Sequence, residues 1–138
     1  MKIKKLTQKN IKPYGWIIDR SFIKDDGQGD KYDILLKERS GGWRIGYLIL
    51  RNKKIVKLES HPDSLETFEP VKGKAAIALA SDKTPEKCEM FLLDRPVVLK
   101  KGIWHNVTAI SKECEIKIFE NAEVTTEYYM LRSAIRAK

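Results

Sequence analysis

From residue 43 onward, short apolar runs alternate with polar breaks at intervals too close for helices of ordinary length. The runs are Trp43 to Leu50, Ile55 to Leu58, Thr67 to Val71, Ala75 to Ala80, Met90 to Leu93, Pro96 to Leu99, His105 to Ile110 and Glu115 to Phe119. Each suits one strand, and Lys72-Gly73, Ser81-Asp82-Lys83 and Lys101-Gly102 supply turn residues between them. Arg51-Asn52-Lys53-Lys54 reads as a solvated hairpin turn. Many short strands without a long amphipathic helix predict an antiparallel barrel or sandwich. Upstream, Thr7 is expected to cap a helical turn over Gln8 to Ile11, which must stop near Pro13. Trp16-Ile17-Ile18 is extended, and Lys24 to Asp30 is a polar, glycine-bearing loop whose acids lack EF-hand spacing. Thr84 to Lys87 predicts a brief helical turn. Tyr128, Leu131 and Ile135, at helical spacing, predict a short helix over Tyr128 to Lys138.

Composition narrows the class. A chain of 138 residues with 42% apolar or aromatic content fits one domain, 1–138, around one core. No run approaches the roughly 18 apolar residues of a membrane span, and no apolar stretch follows Lys2, Lys4 and Lys5, so the expectation is a cytoplasmic protein. Cys88 and Cys114 have no CxxC spacing and read as reduced, buried thiols. The net charge of +8 raises nucleic-acid binding, but the 27 basic residues are interleaved with 19 acids rather than gathered in a patch, which argues against it.

The candidate chemistry gathers at the only two histidines, His61 and His105. In a strand, alternate side chains share a face, so Glu59 and His61 point to one side and Val56 and Leu58 to the other. After a turn at Pro62-Asp63-Ser64, Glu66 can return on an adjacent strand to the same pocket, with Phe68 beside it. Two imidazoles and one or two carboxylates in a barrel mouth suit a divalent first-row metal: Zn, Mn, Fe or Ni. The expected ligands are Glu59, His61, Glu66 and His105.

The spacing Glu59-x-His61-x4-Glu66-x6-Gly73, followed by Gly102-Ile103-Trp104-His105, resembles the two motifs of the cupin superfamily, with Glu59 where the first histidine of the pattern stands. A longer resemblance runs through Leu6-Thr7, Pro13-Tyr14-Gly15, Leu58-Glu59-Ser60-His61-Pro62 and Glu66 to Gly73 to Gly102-Ile103-Trp104-His105. These segments are similar, in order and spacing, to the ureidoglycolate lyase family. The resemblance implies a cupin-type double-stranded β-helix, that is, a jelly-roll barrel, with short peripheral helices. It also implies a homodimer that cleaves ureidoglycolate to glyoxylate and urea in allantoin breakdown. The chain departs from the family pattern at Leu65-Glu66, at Ser60 where an arginine is usual, and at Lys31-Tyr32-Asp33 in place of an Arg-aromatic-His stretch.

Cleavage of a small hydroxy-carboxylate of this kind is acid–base work, for which His105 is the first candidate and Glu66 its partner. Lys57, on the face of Glu59 and His61, and Arg44 are the candidates to neutralise the substrate carboxylate. Phe68 and Trp104 are expected as pocket wall or core, and Trp16 and Trp43 read as core or dimer contacts. The alternatives are a metal-dependent cupin of another class, such as a sugar isomerase or epimerase, and a non-catalytic module that binds a small ligand.

Overall fold

Alternation along each strand decides how the sheets close on one another. The computed structural model describes residues 1–137. Its elements are β1 (Ile3–Lys4), α1 (Gln8–Ile11), β2 (Gly15–Ile17), a 3-10 turn at Arg20–Phe22, β3 (Arg44–Leu50), β4 (Lys54–Ser60), β5 (Glu66–Lys72), β6 (Ala75–Ala80), β7 (Glu89–Leu92), β8 (Val97–Leu99), β9 (Trp104–Ala109), β10 (Cys114–Glu120) and β11 (Glu127–Arg136). A six-stranded sheet runs β1-β7-β6-β9-β4-β11, and a five-stranded sheet runs β2-β8-β5-β10-β3. All pairs are antiparallel except β1 with β7.

The barrel interior lies between the two sheets. Ile77, Leu79, Phe91 and Val107 from the first sheet meet Ile17, Phe68, Val97, Leu99 and Ile116 from the second in one apolar cluster. Burying each such side chain contributes roughly 1.5–3 kcal/mol relative to leaving it exposed. β6 is buried on both faces, because its small residues Ala76, Ala78 and Ala80 turn outward into a second cluster with Ile55, Leu58, Met90 and Ile135. An unbroken apolar run is what a strand covered on both sides requires.

The capped turn forms as expected: Thr7 Oγ1 accepts from the Asn10 backbone, and Asn10 Oδ1 accepts from the Thr7 backbone. Four other expectations need correction. The segment expected to be a helix from Tyr128 is β11, paired with β4; Tyr129, Leu131 and Ile135, all odd-numbered, pack against the outer cluster, so the strand period outweighs the helical spacing. Lys138, the end of that expected helix, lies outside the described residues. Thr84 to Lys87 makes a single turn closed by Lys87 N–H to Thr84 O at 3.0 Å, not a helix. Arg51 to Lys53 is no hairpin, since β3 and β4 belong to different sheets and the segment crosses between them. On β4 it is Ile55, not Val56, that shares a cluster with Leu58; the β4–β11 pairing is irregular there, and Val56 is exposed.

Cys114 is buried and Cys88 half-buried, and both are free thiols. No helix among the described residues is long and apolar enough to cross a membrane. Trp43 is exposed, so it is not a core residue of this chain, and Trp16 is half-buried.

Two local features carry testable energetics. Gly73 closes the β5–β6 turn at φ +78°, and a Cβ there would stand 2.5 Å from the Glu113 carbonyl oxygen. Gly73→Ala is therefore expected to cost about 2 kcal/mol or more in chemical denaturation, from backbone strain and backbone overlap together. Asp19 caps the 3-10 turn and accepts a two-pronged bond from Arg95, at 2.7 and 3.0 Å. The Arg95 guanidinium outweighs partial burial and lowers the Asp19 carboxyl to about 2. A depressed carboxyl stabilises the fold above its unfolded value and loses that contribution as pH falls through its folded value. Asp19→Asn should thus cost about 1 kcal/mol at pH 7, discounted for solvent screening. Denaturant melts of variant and parent should converge between about pH 4 and about pH 2.

Candidate functional site

Glu66, His105 and Glu120 stand on the interior side of their strands, near one end of the barrel, with His61 just past the end of β4. Ile103, just before β9, and Val107 within it line the interior, and His105 falls between them in phase, 4% exposed. On β5, Phe68 faces inward and so does Glu66 two residues earlier, 6% exposed. On β10, the inward series Cys114, Ile116 and Ile118 ends in Glu120. Glu59 lies opposite His105 in the β4–β9 pairing, and His61 follows where β4 ends. Glu66 is not on a strand next to β4: the Pro62-Asp63-Ser64 turn carries the chain into the other sheet, and Glu66 reaches His61 across the barrel. Gly102, at φ +80°, turns the chain into β9, and its N–H donates to the His61 carbonyl at 3.1 Å, tying the two histidine segments together.

The side chains converge closely. Glu66 Oε1 is 2.8 Å from His105 Nε2 and 3.3 Å from His61 Nε2, and Glu120 Oε1 is 3.8 Å from His61 Nε2. The imidazole planes are tilted by 55° with centroids 5.2 Å apart. His105 Nδ1 lies 2.9 Å from the Ile103 carbonyl and His61 Nδ1 3.2 Å from the Thr125 carbonyl. A carbonyl only accepts, so these contacts favour a proton on Nδ1, although the Thr126 hydroxyl also lies 3.3 Å from His61 Nδ1; Nε2 of each ring faces the cluster. Burial disfavours a charged His105, but the Glu66 carboxylate outweighs it and raises the imidazole pKa. Burial likewise opposes ionisation of Glu66, and His105 with His61 outweighs it, so that carboxyl is lowered.

Glu66 Oε1, His105 Nε2 and Glu120 Oε1 are buried; the first two meet only each other closely, at 2.8 Å and poorly aligned, and Glu120 Oε1 has no aligned hydrogen bond. Buried acceptors left this way cost about 1–3 kcal/mol each, more when charged. Two sets of donors have their ligating atoms within 4.8 Å of one another: Glu59, His61 and His105, and His61, Glu66 and Glu120. Donors bonded at about 2.1 Å to one cation stand roughly 3–4 Å apart, so these groups fit a divalent metal. Mixed imidazole and carboxylate donors suit a first-row ion.

The expected substrate contacts divide. Arg44 lines a cavity of about 350 Å³ together with Glu59, His61, Glu66 and Glu120, and its Nε and Nη2 donate to Glu120 Oε2 at 3.1 and 2.9 Å. Phe68 packs its ring against His105, with centroids 5.6 Å apart, behind the cavity. Lys57 sits over the exposed Tyr128 ring, 4.4 Å from its centroid. Trp104 is not brought to the site: it lies on the opposite side of β9 from His105, beside Tyr129. Ser60 is buried, alternating away from Glu59 and His61, and Lys31 to Asp33 lie in an exposed loop.

Sequence reasoning missed Glu120 and the turn that supports His61. Glu120 was legible as a charge continuing an inward apolar alternation. The turn was not, because Asp63 accepts from Thr125 N–H and Oγ1, both at 3.3 Å, across 62 residues of chain.

No protein-family model matches the chain, and no curated protein matches it. Solved structures do. The capsular polysaccharide assembling protein CapF from Staphylococcus aureus is matched over 70% of this chain and 30% of its own, with a TM-score of 0.54 at 14% identity. Procruciferin, the 11S globulin of Brassica napus, is matched over 62% of this chain and 22% of its own, with a TM-score of 0.51 at 13% identity. The fold is the cupin-type jelly-roll barrel. At these identities the likeness is one of fold, and this chain spans less than a third of either chain's length.

A cation that relieves the unpartnered donors should stabilise the folded state. Adding a divalent first-row ion at about a hundred times its Kd should raise stability by about 2.7 kcal/mol. Thermal melts with and without a chelator check this, and His61→Ala, which removes the donor common to both sets, should abolish the shift.

Proposed function

We propose that this cupin is a ureidoglycolate lyase-like enzyme that releases glyoxylate and urea from a small hydroxy-carboxylate. The observation that carries the reading is the buried Glu66–His105 pair, with Nε2 of His105 2.8 Å from a carboxylate that lines an open cavity. Ureidoglycolate holds a hydroxyl, a carboxylate and a ureido nitrogen on one carbon. Its cleavage breaks the carbon–nitrogen bond, turns the hydroxyl carbon into an aldehyde, and moves one proton from the hydroxyl to the departing urea nitrogen.

Glu66 is the member of the pair that meets the substrate, and His105 stands behind it. The pair accepts the hydroxyl proton and returns it to nitrogen, so nothing is consumed. Ile103, by holding the proton on His105 Nδ1, keeps Nε2 directed at Glu66. Arg44 offers the substrate carboxylate a cation at the rim, and Phe68 keeps water from the far side of His105. His61 with the carboxylates around it would hold a divalent ion, which when bound supplies Lewis-acid polarisation of the hydroxyl and carboxylate oxygens.

The experiment is glyoxylate release from racemic ureidoglycolate, with and without added Mn, Zn, Fe or Ni. Glu66→Gln should lower kcat by at least about 100-fold. His105→Asn, which acts through Glu66, should lower kcat with little change in KM. Intact ureidoglycolate after incubation with every metal at neutral and alkaline pH would sink the proposal.

A further inference from the structure

The cation seat suggested by the motif spacing uses Glu59, but a second donor group, His61, Glu66 and Glu120, gathers beside it. Glu120 Oε1 and Glu66 Oε1 are both buried and both face His61 Nε2, at 3.8 and 3.3 Å, and Glu66 Oε1 also meets His105 Nε2 at 2.8 Å. His61 Nδ1 lies 3.2 Å from the Thr125 carbonyl and 3.3 Å from the Thr126 hydroxyl, and with its proton on Nδ1 the neutral ring turns an Nε2 lone pair toward both carboxylates. Three lone-pair donors therefore face one another inside the barrel. Glu120 is held there by a two-pronged bond from Arg44 to its other oxygen. Such a clamp fixes the carboxylate's orientation, as supporting partners of metal ligands do. Glu59 is half-buried and has none of these constraints.

We propose that Glu120, absent from the motif pattern, is a metal ligand, and that the divalent cation is held by His61, Glu66 and Glu120 while Glu59 is not required. This rests on the reading that the pocket takes a cation; Glu120 takes the place of Glu59 in the expected set, and His105 stays paired with Glu66 at 2.8 Å rather than on the ion. Glu120 reaches the seat from the end of β10 in the five-stranded sheet, whereas Glu59 stands on β4 in the six-stranded one. Two carboxylates and one imidazole favour ions that accept oxygen donors, and Mn2+ is the appropriate probe.

The test is Mn2+ binding to the full chain by titration calorimetry and by the loss of the free-ion EPR signal, with no substrate present. Glu120→Gln should weaken binding by at least about 100-fold, since removing even a supporting partner of a ligand commonly costs 10–100-fold. Glu120→Asp keeps the charge but not the reach, and should weaken it comparably; Glu59→Gln should bind within a few-fold of the parent. Parent-like binding by Glu120→Asp would reduce the residue to a field effect and overturn the proposal. Loss of binding in Glu59→Gln with retention in Glu120→Gln would overturn it in favour of the motif set. A parent chain that binds no Mn2+ would overturn both this proposal and metal assistance. Glyoxylate release tests the lyase reading separately, so the two failures are distinguishable.

Discussion

Glu66 is the side chain on which the site depends. It is a carboxylate placed inside an apolar barrel, and a buried charge persists only where partners answer it. Its Oε1 stands within 3.3 Å of both imidazole Nε2 atoms, each on a different segment of the chain. Those rings are in turn held by backbone carbonyls at Ile103 and Thr125. The arrangement thus gathers β5, β9 and the end of β4 around one oxygen. Its cost is borne by the cluster behind it, where Phe68, Leu79, Val97 and Leu99 supply the burial that closes the barrel.

The same cluster shows why a charged site is tolerable at this place in the fold. The donors sit where inward alternations run out, at the first residue of β5 and the last of β10. Apolar neighbours lie on one side and the open cavity on the other. Moving either carboxylate two residues deeper along its strand would replace Phe68 or Ile118 and put a charge into the main cluster. Arg44 enters from the edge strand β3, half in solvent, and gives Glu120 a charged partner without itself being buried. The outer face of the six-stranded sheet carries no such chemistry. There Trp104 and Tyr129 pack over small alanines, so one side of β9 serves the site and the other serves packing.

Much of this architecture was legible from period alone. The strand runs of β5, β6, β9 and β10 could be read from their apolar segments, and so could the capped turn at Thr7. Failures occurred where local pattern and tertiary pairing disagree. Tyr128, Leu131 and Ile135 suit a helix by spacing, but β4 offered an open edge, and pairing with it satisfies backbone groups as well as burying Tyr129 and Ile135. The segments after Leu50 and after His61 look like simple turns, yet each crosses from one sheet to the other. A turn's residues do not reveal which sheet the next strand will join.

The sequence by itself determined the strand class, the position of most strands, and the two histidines with Glu59 and Glu66 as a group that belongs together. These follow from periodicity and spacing, which are local. Tertiary structure alone decided that Glu66 meets the histidines from across the barrel, that Trp104 faces away, and that Glu120 joins the cluster with Arg44 behind it. Glu120 and His61 are separated by 59 positions, and only the packing of two sheets brings their atoms to 3.8 Å. Donor identity is written in the chain; which donors share one space depends on sheet pairing, to which no local pattern has access.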